Sequence, residues 1–272
     1  MALPETTALA LDRQDGVLHA TLDRPDAGNA LDAGLIDDLV NTFNAVRDDR
    51  SVRVVVLRGA GDHFCVGADL NALADFDGDD ASARDEATAH SRRFGELLET
   101  VDAAPQAVIA LADGAALGGG FGLLCVADIT IVTTDTRMGM PEARLGVPAA
   151  QILPFVVARI GAAETRRLGI CGHQLKGGEA ARLGIAHDVV DDAEAGEDRI
   201  TAVLEDVLAC APGAIAETKR IVRAARTAEP AALLDAGAET FTDCLTGDEG
   251  RDGVRAFFDK RAPYWAQGDG DA

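Results

Sequence analysis

Three consecutive glycines, Gly118, Gly119 and Gly120, lie between the apolar run Ala107 to Ala112 and the segment Phe121-Gly122-Leu123-Leu124. A strand, a tight turn and a helix start therefore meet at one point. Backbone N–H groups there are unobstructed by Cβ atoms, and a first helical turn adds unpaired donors and the positive end of a dipole. The fitting guest is an oxygen that carries partial negative charge. A turn that needs glycine only for positive φ or close packing has the same sequence, so neighbouring segments must decide between the two.

Two further segments share this chemistry. Arg58-Gly59-Ala60-Gly61-Asp62-His63-Phe64-Cys65-Val66-Gly67-Ala68-Asp69-Leu70 follows the β-branched run Val52 to Leu57 and forms a second strand-loop-helix junction. Met138-Gly139-Met140-Pro141-Glu142-Ala143-Arg144-Leu145-Gly146 sets a carboxylate just after a proline at an apparent helix start. The helix dipole alone favours glutamate in that position. The commoner glycine motifs are excluded: a dinucleotide fingerprint needs glycine where Leu123 stands, and neither Gly-Lys-Ser/Thr nor Gly-x-Ser-x-Gly occurs.

Five segments occur in order: Arg24-Pro25-Asp26-Ala27-Gly28-Asn29-Ala30-Leu31, Phe64 to Leu70, Asp113-Gly114 through Gly120, Cys125-Val126-Ala127-Asp128-Ile129 and Pro141 to Gly146. In type and spacing they resemble the crotonase family, the enoyl-CoA hydratases and isomerases. Ala180 to Val190 and Phe257-Phe258-Asp259-Lys260-Arg261-Ala262-Pro263 extend the likeness over most of the chain. The resemblance implies an α/β fold, a crotonase-like spiral of repeated strand-strand-helix units. It implies a core over 1–195 with the CoA and acyl site, and a helical trimerisation region over 196–272.

By the same resemblance, the N–H groups of Ala68 and Gly119 form an oxyanion hole for the thioester carbonyl of an acyl-CoA, and Glu142 is the acid/base. CoA and acyl contacts fall on Arg24, Ala27, Gly28, Ala30, Val66, Asp69, Leu70, Asn71 and Lys260, with Arg24 and Lys260 as candidate phosphate partners. Many hydratases of the family carry a second glutamate at the position of Gly122. Hydration divides naturally between two carboxylates, whereas one suffices for a 1,3 proton shift. The segments Gly119 to Leu123 and Gly146 to Val156 nevertheless resemble hydratases of branched or glutaconyl-type acyl-CoAs that also lack the first glutamate. A hydratase is thus the favoured reading, a delta-isomerase the alternative, and a non-catalytic binding homologue the third.

Composition narrows the partners. Acidic residues outnumber basic ones 46 to 25 for a net charge of −21, and the only lysines are Lys176, Lys219 and Lys260. Such a surface repels itself in dilute buffer and is screened by salt, which points to a salt-adapted protein that disfavours nucleic acid. No apolar stretch is long enough for a bilayer and Met1 to Ala10 lacks signal-peptide character, so a cytoplasmic location is expected. Cys65, Cys125, Cys171, Cys210 and Cys244 show no metal-type spacing and read as buried reduced thiols; no metal is expected. Nor is a cofactor, coenzyme A being part of the substrate. A homotrimer or dimer of trimers is the implied assembly.

The elements that must hold these residues are legible as patterns. Val17 to Leu22, Val52 to Leu57, Val108 to Leu111 and Ile129 to Thr133 read as strands. Leu31, Leu35, Leu39, Phe43 and Val46 form one apolar helix stripe. The stretch Asp75 to Glu86 reads as a mobile acidic loop. Helices are expected over Ile200 to Leu208, Ala214 to Ala225, Ala231 to Leu245 and Gly250 to Arg261. Phe257, Phe258, Tyr264 and Trp265 would bury against neighbours.

Overall fold

The computed structural model describes residues 3–70 and 81–267. Six strands form the main sheet: β1 (Leu9–Gln14), β2 (Val17–Leu22), β3 (Val54–Gly59), β4 (Ala107–Ala112), β6 (Ile129–Thr133) and β9 (Asp188–Val190), in the order β1-β2-β3-β4-β6-β9. Only β1 and β2 pair antiparallel; every other neighbour is parallel. Parallel strands are covered on both faces and so read as continuous apolar runs. Every residue of β4 is buried, as are Val54 to Leu57 of β3.

Alternation along β3 divides the core. Val55 and Leu57 join the larger cluster, which includes helix α1 (Ala33–Val46), whereas Val54 and Val56 join a smaller one with Ile200 and Val203 of α6 (Ala193–Ala209). Asp32 caps α1 by accepting from the Leu35 amide at 2.8 Å, and the expected stripe is inward: Leu35, Leu39, Phe43 and Val46 are all buried. Each such side chain contributes about 1.5 to 3 kcal/mol by leaving water.

A smaller second sheet, β5 (Ala115–Leu117), β7 (Arg137–Gly139) and β8 (Gln174–Leu175), stands after the carboxyl ends of the main strands. Parallel bridges from Cys65 to Ala116 and from Leu31 to Ala68 extend this layer. Helix α3 (Gly119–Val126) starts within the glycine triplet, and α4 (Leu153–Cys171) follows the Glu142 segment.

Two expectations are corrected. The acidic stretch is not all loop, because α2 (Ala81–Asp102) already includes residues 81–86; residues 71–80 lie outside the described residues. The helix packs through Leu97, Leu98 and Val101, while Arg93 pairs with Asp37 and Glu96 at 2.8 and 2.7 Å. Its charge is that of a solvated helix face. Among the cysteines, only Cys65 and Cys125 are buried; Cys171 and Cys210 are exposed and Cys244 is half-buried, all five being free thiols.

After α5 (Gly177–Arg182), α6 spans the expected boundary at 195/196. The chain continues with α7 (Pro212–Ala224), α8 (Pro230–Thr246) and α9 (Asp248–Asp259). Arg53 ties this region to the sheet by donating to the carbonyls of Leu208, Cys210 and Trp265 at 2.7 to 2.8 Å. No helix of the described residues is long and apolar enough to cross a membrane.

Candidate active site

Three adjacent extended segments, 64–68, β5 and β7, run parallel, and each leads within three residues to one of the singled-out positions. Phe64 and Cys65 donate to Asp113 and Ala115, both at 2.9 Å, and Leu117 donates back to Cys65 at 2.9 Å. Gly118 donates to Gly139 at 2.9 Å. Ala68, Gly119 and Glu142 are therefore positioned by one continuous backbone ladder.

The direction of the Ala68 amide follows from its bridge to Leu31. In a parallel bridge the residue between the two bonded groups turns its own N–H to the other side. Leu31 donates to the Gly67 carbonyl at 2.8 Å and accepts from the Asp69 amide at 3.1 Å, so Ala68 N–H faces away from Leu31. Gly119 is the first residue of α3, whose amide has no partner within the helix. Among the described residues neither amide donates a hydrogen bond. Gly118 makes the turn with φ 51°, and its Cα side faces Gly67: a Cβ on Gly118 would lie 3.7 Å from Gly67 Cα.

Glu142 opens a 3-10 turn (Glu142–Leu145) and leans over this point. A Cβ on Gly118 would lie 2.8 Å from Glu142 Oε1. The other oxygen, Oε2, is buried and has no hydrogen-bond partner among the described residues. Burial pushes the carboxyl above the ordinary glutamate value, offset in part by a hydrogen bond from its own backbone. Unpaired donors and a carboxyl with one unpartnered oxygen thus share one place.

The position of a second carboxylate is closed. A Cβ on Gly122 would fall 2.6 Å from Ile152 Cγ2 and 3.3 Å from Leu98 Cδ1, so the packing itself excludes a side chain there. The sequence displays Gly122 but gives no sign of Ile152 as the plug.

The expected CoA positions lie around one loop. Pro25–Ala27 is a 3-10 turn ended by Gly28 at φ 59°; Ala30 donates to Ala27 at 3.2 Å, and Val66 donates to Gly28 at 3.0 Å. Arg24 is held by the chain's own groups, Asp69 at 3.0 Å, Asp32 at 3.1 Å and the Ala30 carbonyl. Leu70 is exposed and Asn71 lies outside the described residues. Lys260 ends α9 at φ 56° and, among the described residues, makes no hydrogen bond or ion pair with the other site positions.

Asn29 is the residue missed. It is 0% exposed with φ 56°, accepts from the Arg24 amide at 2.9 Å, and donates to the carbonyls of Ala60 at 2.9 Å and His63 at 2.7 Å. It locks the loop before α1 onto the loop before Ala68. Asparagine tolerates positive φ, and that preference was the available signal.

An apolar cavity of about 590 Å³ opens behind the Glu142 turn, between Met140, Ala143, Pro148, Leu153 and Ile170. Among the described residues no three metal-ligating side chains converge.

Two undonated backbone amides beside one half-buried carboxyl, on an α/β core with helices after it, belong to a fold of the crotonase type. The chain belongs to the enoyl-CoA hydratase/isomerase family, a family of enzymes, which it matches over residues 12–268. It is 33% identical over 264 residues to carnitinyl-CoA dehydratase of Proteus mirabilis, covering 95% of this chain and 98% of that protein. Its fold is similar to that of Pseudomonas aeruginosa AtuE at TM-score 0.92 and 46% identity, over 96% of this chain and 100% of the other. An enoyl-CoA hydratase/isomerase from Marinobacter aquaeolei has the same TM-score at 41% identity, over 96% and 99%.

Proposed function

We propose that the chain hydrates a 2-enoyl-CoA thioester, with Glu142 as its one acid/base. The Glu142 carboxylate takes a proton from water as the water oxygen bonds to Cβ. The electron pair moves onto the thioester oxygen, where the Ala68 and Gly119 amides meet it. Glu142 then returns the proton to Cα, and one water has been added. Each oxyanion donor is worth about 3 to 4 kcal/mol of barrier when already in place. The observation that carries the reading is the partnerless Glu142 Oε2 beside two undonated amides. The dehydratase named among its relatives, an enzyme that runs the same addition in reverse, supports it.

The isomerase alternative has one observation in its favour. With Ile152 and Leu98 filling the space at Gly122, a single carboxyl serves the site, and a 1,3 proton shift needs no more. A panel of CoA thioesters read by mass in high salt separates the two. Hydration adds one water to a 2-enoyl thioester, with a β-branched or distally carboxylated chain preferred. Conversion of 3-enoyl-CoA to its conjugated isomer, with every 2-enoyl thioester left unhydrated, would overturn the hydratase.

The proposal includes a homotrimer or dimer of trimers, a cytoplasmic salt-adapted enzyme, no resident cofactor and no nucleic-acid partner. The apolar cavity behind Glu142 and the exposed Phe257 and Phe258 are surfaces of the kind that oligomers cover. The acidic surface supports the salt adaptation.

A further inference from the structure

A second cavity lies at the opposite end of the sheet. Its walls come from residues 47–50, just before β3, from 102–105, just before β4, and from α7, whereas Ala68, Gly119 and Glu142 follow strand carboxyl ends. Its volume is about 290 Å³, too small for a whole coenzyme A.

The charge inside runs against the rest of the molecule. Five cationic side chains line it, Arg47, Arg50, Lys219, Arg220 and Arg223, in a chain that is acidic by 46 to 25. Lys219 is engaged by Asp128 and by the Gln106 carbonyl, and Arg220 by Glu217 at 2.6 Å. Asp102 is neutralised from outside the lining by Arg226, bidentate at 2.8 Å. That leaves Arg47, Arg50 and Arg223 without an ion pair among the described residues, and Asp48 as the one remaining acid. Helix carboxyl ends attract a cation, which accounts for Arg47 after α1. It does not account for three free guanidinium groups around one hollow.

We propose that this cavity binds a small phosphate-bearing anion, a phosphate or diphosphate group. Three forked donor sets suit an anion with oxygens in several directions, whereas one carboxylate saturates a single fork. The arginines are exposed or at the rim, so binding competes with chloride and weakens as salt rises.

The test uses the full chain and isothermal titration with inorganic phosphate, pyrophosphate and ADP at fixed ionic strength, with acetate as the carboxylate control. Binding of any phosphate species is expected, and the tightest of the three identifies whether the group is single, double or nucleotide-borne. Arg47→Gln with Arg223→Gln should weaken it at least tenfold, with the KM for acyl-CoA unchanged. Arg50→Gln alone repeats the test should the double variant not fold. No phosphate binding, equal binding of acetate, undiminished binding in the arginine variants, or loss of binding on saturation with coenzyme A would each overturn the proposal.

Discussion

The strand-ended half of the molecule and its C-terminal helices solve opposite problems. Around Ala68, Gly119 and Glu142 the chain fills its own core: β4 is wholly buried, Asn29 satisfies three backbone groups, and Glu142 Oε2 is left without a hydrogen-bond partner among the described residues. In α7 and α8 no residue is buried, and Leu234, Phe257 and Phe258 are 75%, 80% and 76% exposed. A site made of backbone geometry needs a finished core beneath it. Helices with outward apolar residues offer a surface that another can cover.

The largest expected effect comes from breaking the backbone-built part. In Gly119→Val, the new Cβ would lie 2.6 Å from Leu31 Cδ1 and 3.0 Å from Phe94 Cζ, displacing the amide beside it. Turnover should fall roughly 10²- to 10³-fold, as for one lost oxyanion donor, with the oligomer mass unchanged. Native turnover in this variant would reduce Gly119 to a turn residue.

Next in size is Glu142→Gln. Turnover should drop at least about 10²-fold while coenzyme A still binds, because the amide cannot move the proton. Near-normal kcat would remove Glu142 from the chemistry.

The helical half is probed by Phe257→Asp with Phe258→Asp. The two rings meet edge to face at 5.7 Å on the surface, and each should be worth about 1.5 to 3 kcal/mol once covered. Sedimentation should then give a smaller assembly from a chain with native helix content; an unaltered mass means that the partner surface lies elsewhere.

A smaller and more diffuse effect is expected from salt. With a charge of −21, thermal midpoint and activity should both rise between dilute buffer and molar potassium chloride. A flat response in calorimetry ends the salt-adapted reading.

How much of this was legible differs between the same two regions. β6 begins and ends where the β-branched run Ile129 to Thr133 does, because a strand buried on both faces has a local apolar signature. The five ordered segments led to Ala68, Gly119 and Glu142, because a backbone site demands particular small residues at particular turns. Asn29 and Ile152 act across 30 or more residues, on Ala60, His63 and Gly122, and no local pattern announces such contacts. Arg24 reads as a candidate phosphate partner, and its ion pairs with Asp32 and Asp69 are visible only in the fold. The acidic start of α2 resembled a loop because its buried Leu97, Leu98 and Val101 all come in the last turns.

The smallest expected effect sharpens the contrast between a carboxyl oxygen left without a partner and an apolar helical surface left open. Burial raises the folded-state pKa of Glu142 above its unfolded value, so the folded protein holds this proton more tightly than the unfolded chain does. As pH rises from the unfolded value through the raised folded value, the folded state loses the stability that protonation gave it. Glu142→Gln carries no such charge. The variant should therefore be more stable than the parent above that window, and the gain should vanish below it, in urea unfolding measured across acidic to neutral pH. An advantage independent of pH would mean that the glutamine gains a hydrogen bond of its own. No advantage at neutral pH would mean that water reaches Oε2 and that the carboxyl is not held in reserve by burial.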